Sequence, residues 1–321
     1  MGRRVAAGET AWCRVGSDTP GDGRLTSVAA IDRPGASGYD PAMTSTFPRA
    51  PAPTDAPLLA GLAAAALAAG VAIRRIEAQG IEAHAKADLS PVTAADEAAE
   101  LIICAALAEL LPGVPVVAEE AMSAGARVDC GNRFLLVDPL DGTREFISGN
   151  GEYTVNIALV EDGTPVLGVV YAPARATLFA GRPGAAFRAI RAPGAAVNAQ
   201  DWECISCRPL PAGPMVVAAS RSHGDPATDA LIARYDVAER ISAGSALKFG
   251  LLAEGVVDLY PRLGTVMEWD CAAGHAVVNA AGGRVTRPDG SPLTYGHADA
   301  GFKVHGFLAW GAGQPPLPKE A

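Results

Sequence analysis

The chain has 321 residues, 49% of them apolar and 19% charged, with a formal net charge of −9. That length and composition describe a globular, enzyme-sized protein with a sizeable core, and the negative charge, with no Lys/Arg run among aromatics, argues against a nucleic-acid partner. Six cysteines scattered through so long a chain fit a reducing cytoplasm better than a disulfide scaffold.

In chain order, residues 1–52 are rich in Gly, Pro, Ser, Thr and Arg and poor in large aliphatics, so they are expected to be a disordered tail without chemistry. They lack the apolar core of a signal peptide, and Met43, close to the first helix, is the expected alternative start to Met1. Leu58–Ile73, "LLAGLAAAALAAGVAI", is half alanine and shorter than the ~20 residues needed to span a membrane. Leu59, Leu62, Leu67, Val71 and Ile76 recur at roughly helical spacing, so about 58–78 reads as a packed amphipathic helix rather than an integral membrane segment. "KADLSPVT" leads into a helix from Thr93 to Leu111, stopped by Pro112-Gly113. "VPVVAEE" reads as a short strand ending in two acids, and "RFLLVD" as a strand apolar enough for a sheet interior. "EYTVNIALV", "EDGT" and "PVLGVVYAP" form a hairpin that turns at Asp162-Gly163.

Past about residue 195 strands and helices alternate: "MVVAAS" and "VVDLYPR" as strands, "DPATDALIARY", "GSALKFGLLAEG" and "EWDCAAGHAVVNAAGG" as helices, "FKVHGFLAW" as a last strand. The expected class is α/β (α+β), with an N-terminal α+β lobe over 53–194, a C-terminal α/β lobe over 195–311 and a short tail over 312–321. Cys204-x-x-Cys207 has no second Cys or His pair at a suitable distance, so it reads as alternate strand positions rather than zinc ligands.

The chemistry concentrates in acids. Asp138 and Asp141 flank Pro139-Leu140 at the carboxyl end of "FLLV", where sheet proteins commonly place ligands. Two carboxylates ~4 Å apart repel by about 4 kcal/mol at an effective dielectric near 20, and no Lys or Arg stands between them to offset it. Taken alone, the stretch reads as a turn. Glu119-Glu120 ends a second apolar strand, and two neighbouring strands ending in acids bring three or four carboxylates together, an oxygen-only set suited to magnesium. Gly142-Thr143 then adds backbone N–H groups for a phosphate, although Thr143 also fits a plain N-cap. Asp96 fits a capping arrangement with Thr93, and Asp270 fits a helix start; spacing alone leaves both open. His275 is expected to pack or hydrogen-bond locally. There is no G-x-S-x-G, no G-x-x-x-x-G-K-[ST] and no H-E-x-x-H.

"AEE", "DPLDGTREF" and "WDCAAGHAVVNAAGG", in this order, resemble the magnesium-dependent, lithium-sensitive phosphatases of the inositol monophosphatase superfamily over about residues 55–310. "KADLSPVTAAD", "DPLDGTREFISGNGEYTVNIALV" and "GSALKFGLLAEGVVDLYPR" are most similar to its 3'(2'),5'-bisphosphate nucleotidase branch of sulfur assimilation. That branch usually has Lys-Glu-Phe after D-G-T; here Arg144 keeps the charge of the Lys. Ala118 departs from the Gly or Ser that often precedes the Glu pair.

The resemblance implies a two-lobed layered α-β-α-β-α sandwich of the inositol monophosphatase and fructose-1,6-bisphosphatase type. It implies two or three Mg2+ ions held by Glu119, Asp138, Asp141, Asp270 and the Leu140 carbonyl. Catalytic roles fall to Asp96, Thr143 and Glu119, with Asp96 and Thr143 orienting and deprotonating the attacking water. Gly142 and Thr143 would hold the scissile phosphate, with Arg144, His223, Ser245, Lys248 and Arg262 as further substrate contacts. The implied substrate is adenosine 3',5'-bisphosphate, with 3'-phosphoadenylyl sulfate as a second. Alternatives are inositol monophosphatase or fructose-1,6-bisphosphatase activity, or a non-catalytic nucleotide- and metal-binding protein. A cytoplasmic monomer or homodimer is expected, the alternative location being peripheral on the cytoplasmic face of the inner membrane.

Overall fold

A computed structural model describes residues 57–81, 83–85, 91–221 and 224–316; the tail 1–52 with Met43, and His223, lie outside the described residues. The chain begins with α1 (Pro57–Gln79), β1 (Ala83–Ala85), β2 (Pro91–Thr93), α2 (Ala94–Leu110), β3 (Val116–Ala118) and the short α3 (Glu119–Ser123). It continues with β4 (Arg133–Asp141), the short α4 (Thr143–Ile147), β5 (Thr154–Glu161), β6 (Thr164–Ala172), β7 (Thr177–Arg182), β8 (Ala185–Ile190) and β9 (Glu203–Ile205). The remainder is β10 (Met215–Ser220), α5 (Pro226–Ile232), β11 (Val237–Ala243), α6 (Leu247–Ala253), β12 (Leu259–Arg262), β13 (Val266–Met267), α7 (Glu268–Ala280), β14 (Arg284–Thr286), β15 (Lys303–Val304) and β16 (Phe307–Trp310).

Strands β3 to β9 form one seven-stranded sheet in chain order, parallel at β3–β4 and antiparallel elsewhere. A five-stranded sheet runs β11-β10-β12-β16-β14, with β11, β10 and β12 parallel and β16 antiparallel to both of its neighbours. The first hairpin turns at Asp162 and Gly163, both with positive φ (48° and 73°), as a two-residue I′ turn requires.

Period-two alternation sorts the core into layers. On β4, Leu135 and Val137 pack under α1 and α2, whereas Phe134 and Leu136 face the layer holding α6 and α7. On the five-stranded sheet, Ala218, Tyr260, Phe307 and Ala309 face that same layer, while Val217, Leu259, Leu308 and Trp310 pack outward with Ile232 of α5. The order is therefore helix, sheet, helix, sheet, helix. The inner strands of both sheets are apolar on two faces because both sheets are covered twice, each fully buried Leu or Phe contributing about 1.5–3 kcal/mol. Gly168 and Gly181 pair across β6 and β7, and a Cβ on either would run into the α7 backbone at Ala273 or Val277. Glycine lets that helix lie directly on the sheet.

Helix α1 is long and apolar enough to cross a membrane, with mean hydropathy 1.7, but 56% of that window is buried inside the protein, against β5, β6 and α2.

Some local expectations are corrected. "VPVVAEE" stops being a strand at Ala118, and its two acids open α3. "FKVHGFLAW" splits into β15 and β16 around Gly306, whose φ of 87° breaks the extended run. Strand β9 stops at Ile205, so Cys207 does not share a strand with Cys204; it is buried while Cys204 is exposed.

Candidate functional site

The corner after β4 begins with a register fault. Asp138 pairs with Asn156 of β5, but Asp141 pairs with Thr154, so three steps on β4 match two on β5. A bulge absorbs the extra residue, and Pro139, which has no N–H, forfeits nothing from the ladder there. Residues three apart on an unbroken strand face opposite sides; across this bulge both acids line one cavity. Asp138 is 1% exposed, and its Oδ1 accepts the Leu140 N–H at 3.0 Å.

Neighbouring elements deliver the other acids. Strand β3 runs parallel to β4 with Ala118 opposite Val137, so Glu119 emerges beside Asp138. Asp270 stands in the first turn of α7, where Oδ2 accepts the Met267 N–H at 2.8 Å, and it also lines the cavity. The helix-start reading and the site reading thus describe the same residue. Glu120 does not join the lining; its N–H and that of Ala121 donate to the Glu100 carboxylate at 2.7 and 2.8 Å. Glu100 supplies the cap for α3 that Ala118 has no side chain to provide.

Asp96 likewise does two things. Its Oδ2 accepts from the Thr93 N–H (2.8 Å) and Thr93 Oγ1 (2.7 Å), closing the capping box of α2. Its Oδ1 accepts from Thr143 Oγ1 at 3.2 Å. Asp96 and Glu100 are four residues apart on one helix face, so α2 braces both Thr143 and the α3 start.

The cavity has a volume of about 320 Å3 and is lined by Glu119, Asp138, Leu140, Asp141, Gly142, Thr143, Arg144, Ser245, Lys248, Arg262 and Asp270, among others. Gly142 has φ 93°, and a Cβ there would overlap Ser245 Oγ. Ser245, itself at φ 50°, donates from Oγ to the Asp141 carbonyl at 2.7 Å, and the Ala246 N–H donates to Asp141 Oδ2 at 2.7 Å. Lys248 is 2% exposed; its ammonium donates to the carbonyls of Ala243 (3.1 Å) and Ser245 (2.7 Å) and lies 5.1 Å from the centre of the Tyr260 ring. The polar groups of Ser245 and Lys248 thus already hold the loop that holds Asp141. Arg262 differs: its buried Nε has no hydrogen-bond partner.

Electrostatically the site is an acid cluster short of positive charge. Burial, then the charges of Glu119, Asp141 and Asp270, raise the Asp138 carboxyl well above its usual range. Burial and the charges of Asp141 and Glu119 push Asp270 up to about 8. Burial pushes Asp141 to about 6, against the opposing pull of Lys248 and the Ala246 N–H. Burial lowers Lys248 to about 8, with Asp141 working the other way. Among the described residues no group of three or more His, Cys, Asp or Glu side chains is arranged to hold a metal ion as it stands. The acids instead line the wall of a cavity of about 320 Å3, large enough to take several water-sized groups. Carboxylates and a backbone carbonyl, with no thiolate or imidazole, are a donor set for hard divalent cations. Buried His275 takes no part: it bonds Tyr295 Oη through Nδ1 at 2.9 Å, and burial lowers it to about 3.

Comparison with protein-family models matches residues 55–305 to the inositol monophosphatase family. The chain belongs to that family. Its curated relatives include the 3'(2'),5'-bisphosphate nucleotidase CysQ of Escherichia coli O157:H7, 41% identical over 74% of this chain and 94% of the relative. The CysQ of Salmonella typhimurium strain LT2 is 42% identical over the same shares. Among solved structures, CysQ from Bacteroides thetaiotaomicron superposes with a TM-score of 0.66 at 35% identity, covering 81% of this chain and 98% of that one. An inositol monophosphatase from Anabaena sp. PCC 7120 gives 0.62 at 25%, covering 81% and 92%.

The charge cluster has a thermal consequence for this inositol monophosphatase family member. Carboxyls raised in the folded state bind protons more tightly than in the unfolded chain, so their contribution is present below about pH 4 and is lost as pH rises through 6 to 8. The metal-stripped protein should melt about 5 °C lower at pH 8.5 than at pH 5.5. Millimolar Mg2+ should restore more at pH 8.5, since a divalent cation held by these carboxylates would compete with protons for the same oxygens. Thermal unfolding with EDTA or Mg2+ at both pH values checks this; a metal effect independent of pH contradicts it.

Proposed function

We propose that this chain is a magnesium-dependent 3'(2'),5'-bisphosphate nucleotidase that removes the 3'-phosphate of adenosine 3',5'-bisphosphate, leaving AMP, and acts likewise on 3'-phosphoadenylyl sulfate. The observation that carries this reading is the convergence of Glu119, Asp138, Asp141, Asp270, Leu140 and Thr143 on one cavity beside the left-handed Gly142. The names of the CysQ relatives supply the substrate class.

Glu119, Asp138, Asp141, Asp270 and the Leu140 carbonyl are the proposed ligands for two or three magnesium ions. Bound there, magnesium supplies Lewis-acid polarisation of phosphate oxygens and a more acidic water. The chain does the rest. Thr143 Oγ1, held by Asp96 Oδ1 at 3.2 Å, is placed to orient the attacking water, and the Asp96 carboxylate receives its proton through that hydroxyl. The Gly142 and Thr143 N–H groups face the scissile phosphate. Arg262, with its unpartnered Nε, and Arg144, exposed at the rim, meet the remaining anionic groups of the substrate.

Sulfur assimilation, a cytoplasmic location and a small phosphorylated partner follow from the same reading, and all five described cysteines are free. A panel of adenosine 3',5'-bisphosphate, inositol monophosphate and fructose 1,6-bisphosphate, with Mg2+ and with or without Li+, tests it. The nucleotide should turn over at least about tenfold faster than either of the other two, equivalent to about 1.4 kcal/mol of discrimination. Faster release from inositol monophosphate overturns the substrate assignment.

A further inference from the structure

We propose that Glu152 is a positioning residue for this site, fixing through its carboxylate the Gly244–Ala246 loop that holds Asp141. The proposal rests on the reading of Asp141 as a magnesium ligand. Glu152 precedes β5 and is 5% exposed, although it is not among the residues that line the cavity. Its Oε2 accepts the Gly244 N–H at 2.8 Å and Arg221 Nε at 2.6 Å, and its Oε1 accepts from Arg175 at 2.6 Å and from a second Arg221 nitrogen at 3.1 Å. Arg221 in turn donates to the Ser242 carbonyl at 2.8 Å. One carboxylate therefore ties the start of β5 and the turn after β6 to the ends of β10 and β11.

The tie is tight on the loop side. A Cβ at Gly244 would come within 2.5 Å of the Glu152 carbonyl and 2.8 Å of its Cβ. The next two residues make the contacts with Asp141, from Ser245 Oγ to its carbonyl and from the Ala246 N–H to its Oδ2. Burial works to raise the Glu152 pKa, but Arg221, the Gly244 N–H and Arg175 outweigh it and hold the carboxyl below its usual range. The charge is thus kept for two guanidinium partners and a backbone N–H, and a neutral isostere leaves both arginines unmatched. Direct outer-shell partners of metal ligands typically set affinity by 10–100-fold; Glu152 acts one step further out, through Gly244–Ala246, so the lower end of that range applies.

The test uses the full chain and the Glu152→Gln variant, with Mg2+ binding measured by titration calorimetry without substrate and turnover measured across Mg2+ concentrations. The expected result is a Kd for Mg2+ weakened about tenfold, with kcat returning to within about threefold of wild type at saturating metal. A Kd within twofold of wild type, or a kcat lowered equally at every metal concentration, overturns the proposal, since that is what a merely structural residue does. Should E152Q fail to fold, Arg221→Lys, which leaves Arg175 on the carboxylate, must still weaken Mg2+ binding by about threefold; no change overturns it. A wild-type chain that binds no Mg2+ overturns the metal-site reading and this proposal together. A wild type that binds beside an unaltered variant overturns this proposal alone.

Discussion

Asp141→Asn is expected to lower phosphate release by at least about 1,000-fold, or about 4 kcal/mol of transition-state stabilisation, while the protein stays folded. The amide oxygen can still accept the Ala246 N–H now 2.7 Å from Oδ2, and the main-chain carbonyl still accepts Ser245 Oγ. The loop that closes over this corner therefore keeps its anchors. What disappears is one negative charge among four. In the metal-free protein this relieves Asp138 and Asp270, both of which feel the charge of Asp141. In the loaded enzyme it removes a proposed ligand to magnesium. That relief is offset in part by buried Lys248 losing the charge of Asp141, so metal-free thermal stability should change little while activity collapses. Phosphate-release assays beside thermal unfolding in EDTA check the pair, and turnover within tenfold of wild type would sink the ligand assignment.

Asp96→Asn should cost about 100- to 10,000-fold in kcat, the range of a positioned general base, together with a smaller loss of stability. The two losses come from different oxygens. Oδ2 caps α2 through Thr93, whereas Oδ1 takes the Thr143 hydroxyl. Thr93→Ala, which removes a capping hydroxyl and leaves the Thr143 contact, should cost about 1 kcal/mol, or about 2–4 °C, with kcat kept within about threefold. Thr143→Val should resemble D96N in kcat without the capping loss. If Asp96 and Thr143 work as one unit, the double variant falls little further than either single one. A D96N enzyme that melts earlier but turns over normally would reduce Asp96 to a helix cap.

Much of the fold was legible from hydrophobic pattern. The apolar run at Phe134–Val137 belongs to a strand covered on both faces, and Asp162-Gly163 is the turn of its hairpin neighbours. Strands β1, β2, β7, β8, β11, β13 and β14 were not read from the chain. Strands β7 and β8 mix alanine, glycine and arginine with aromatics, and no alternation marks a sheet sandwiched between helices. Strand β11 is mostly exposed, with only Ala243 buried, and its place is set by parallel pairing with β10.

The site divides in a similar way. Two acids around Pro139, an acid pair after a short strand and a Gly-Thr step already pointed to divalent metal and phosphate, because hard cations and phosphates demand those groups. Asp96 and Asp270 stayed ambiguous by spacing, and each proved to be both helix-start acid and neighbour of the site. Glu100, Glu152 and the Ala246 N–H left no local trace, since each meets its partner through contacts 20 to 105 residues apart in sequence. The chain by itself determined the chemistry on offer, as donor types follow from side chains alone. Only the tertiary structure decided that a bulge turns Asp138 and Asp141 into one cavity, that parallel pairing sets Glu119 beside them, and that α7 brings Asp270. Convergence depends on register and layer packing, and neither is written in any one segment.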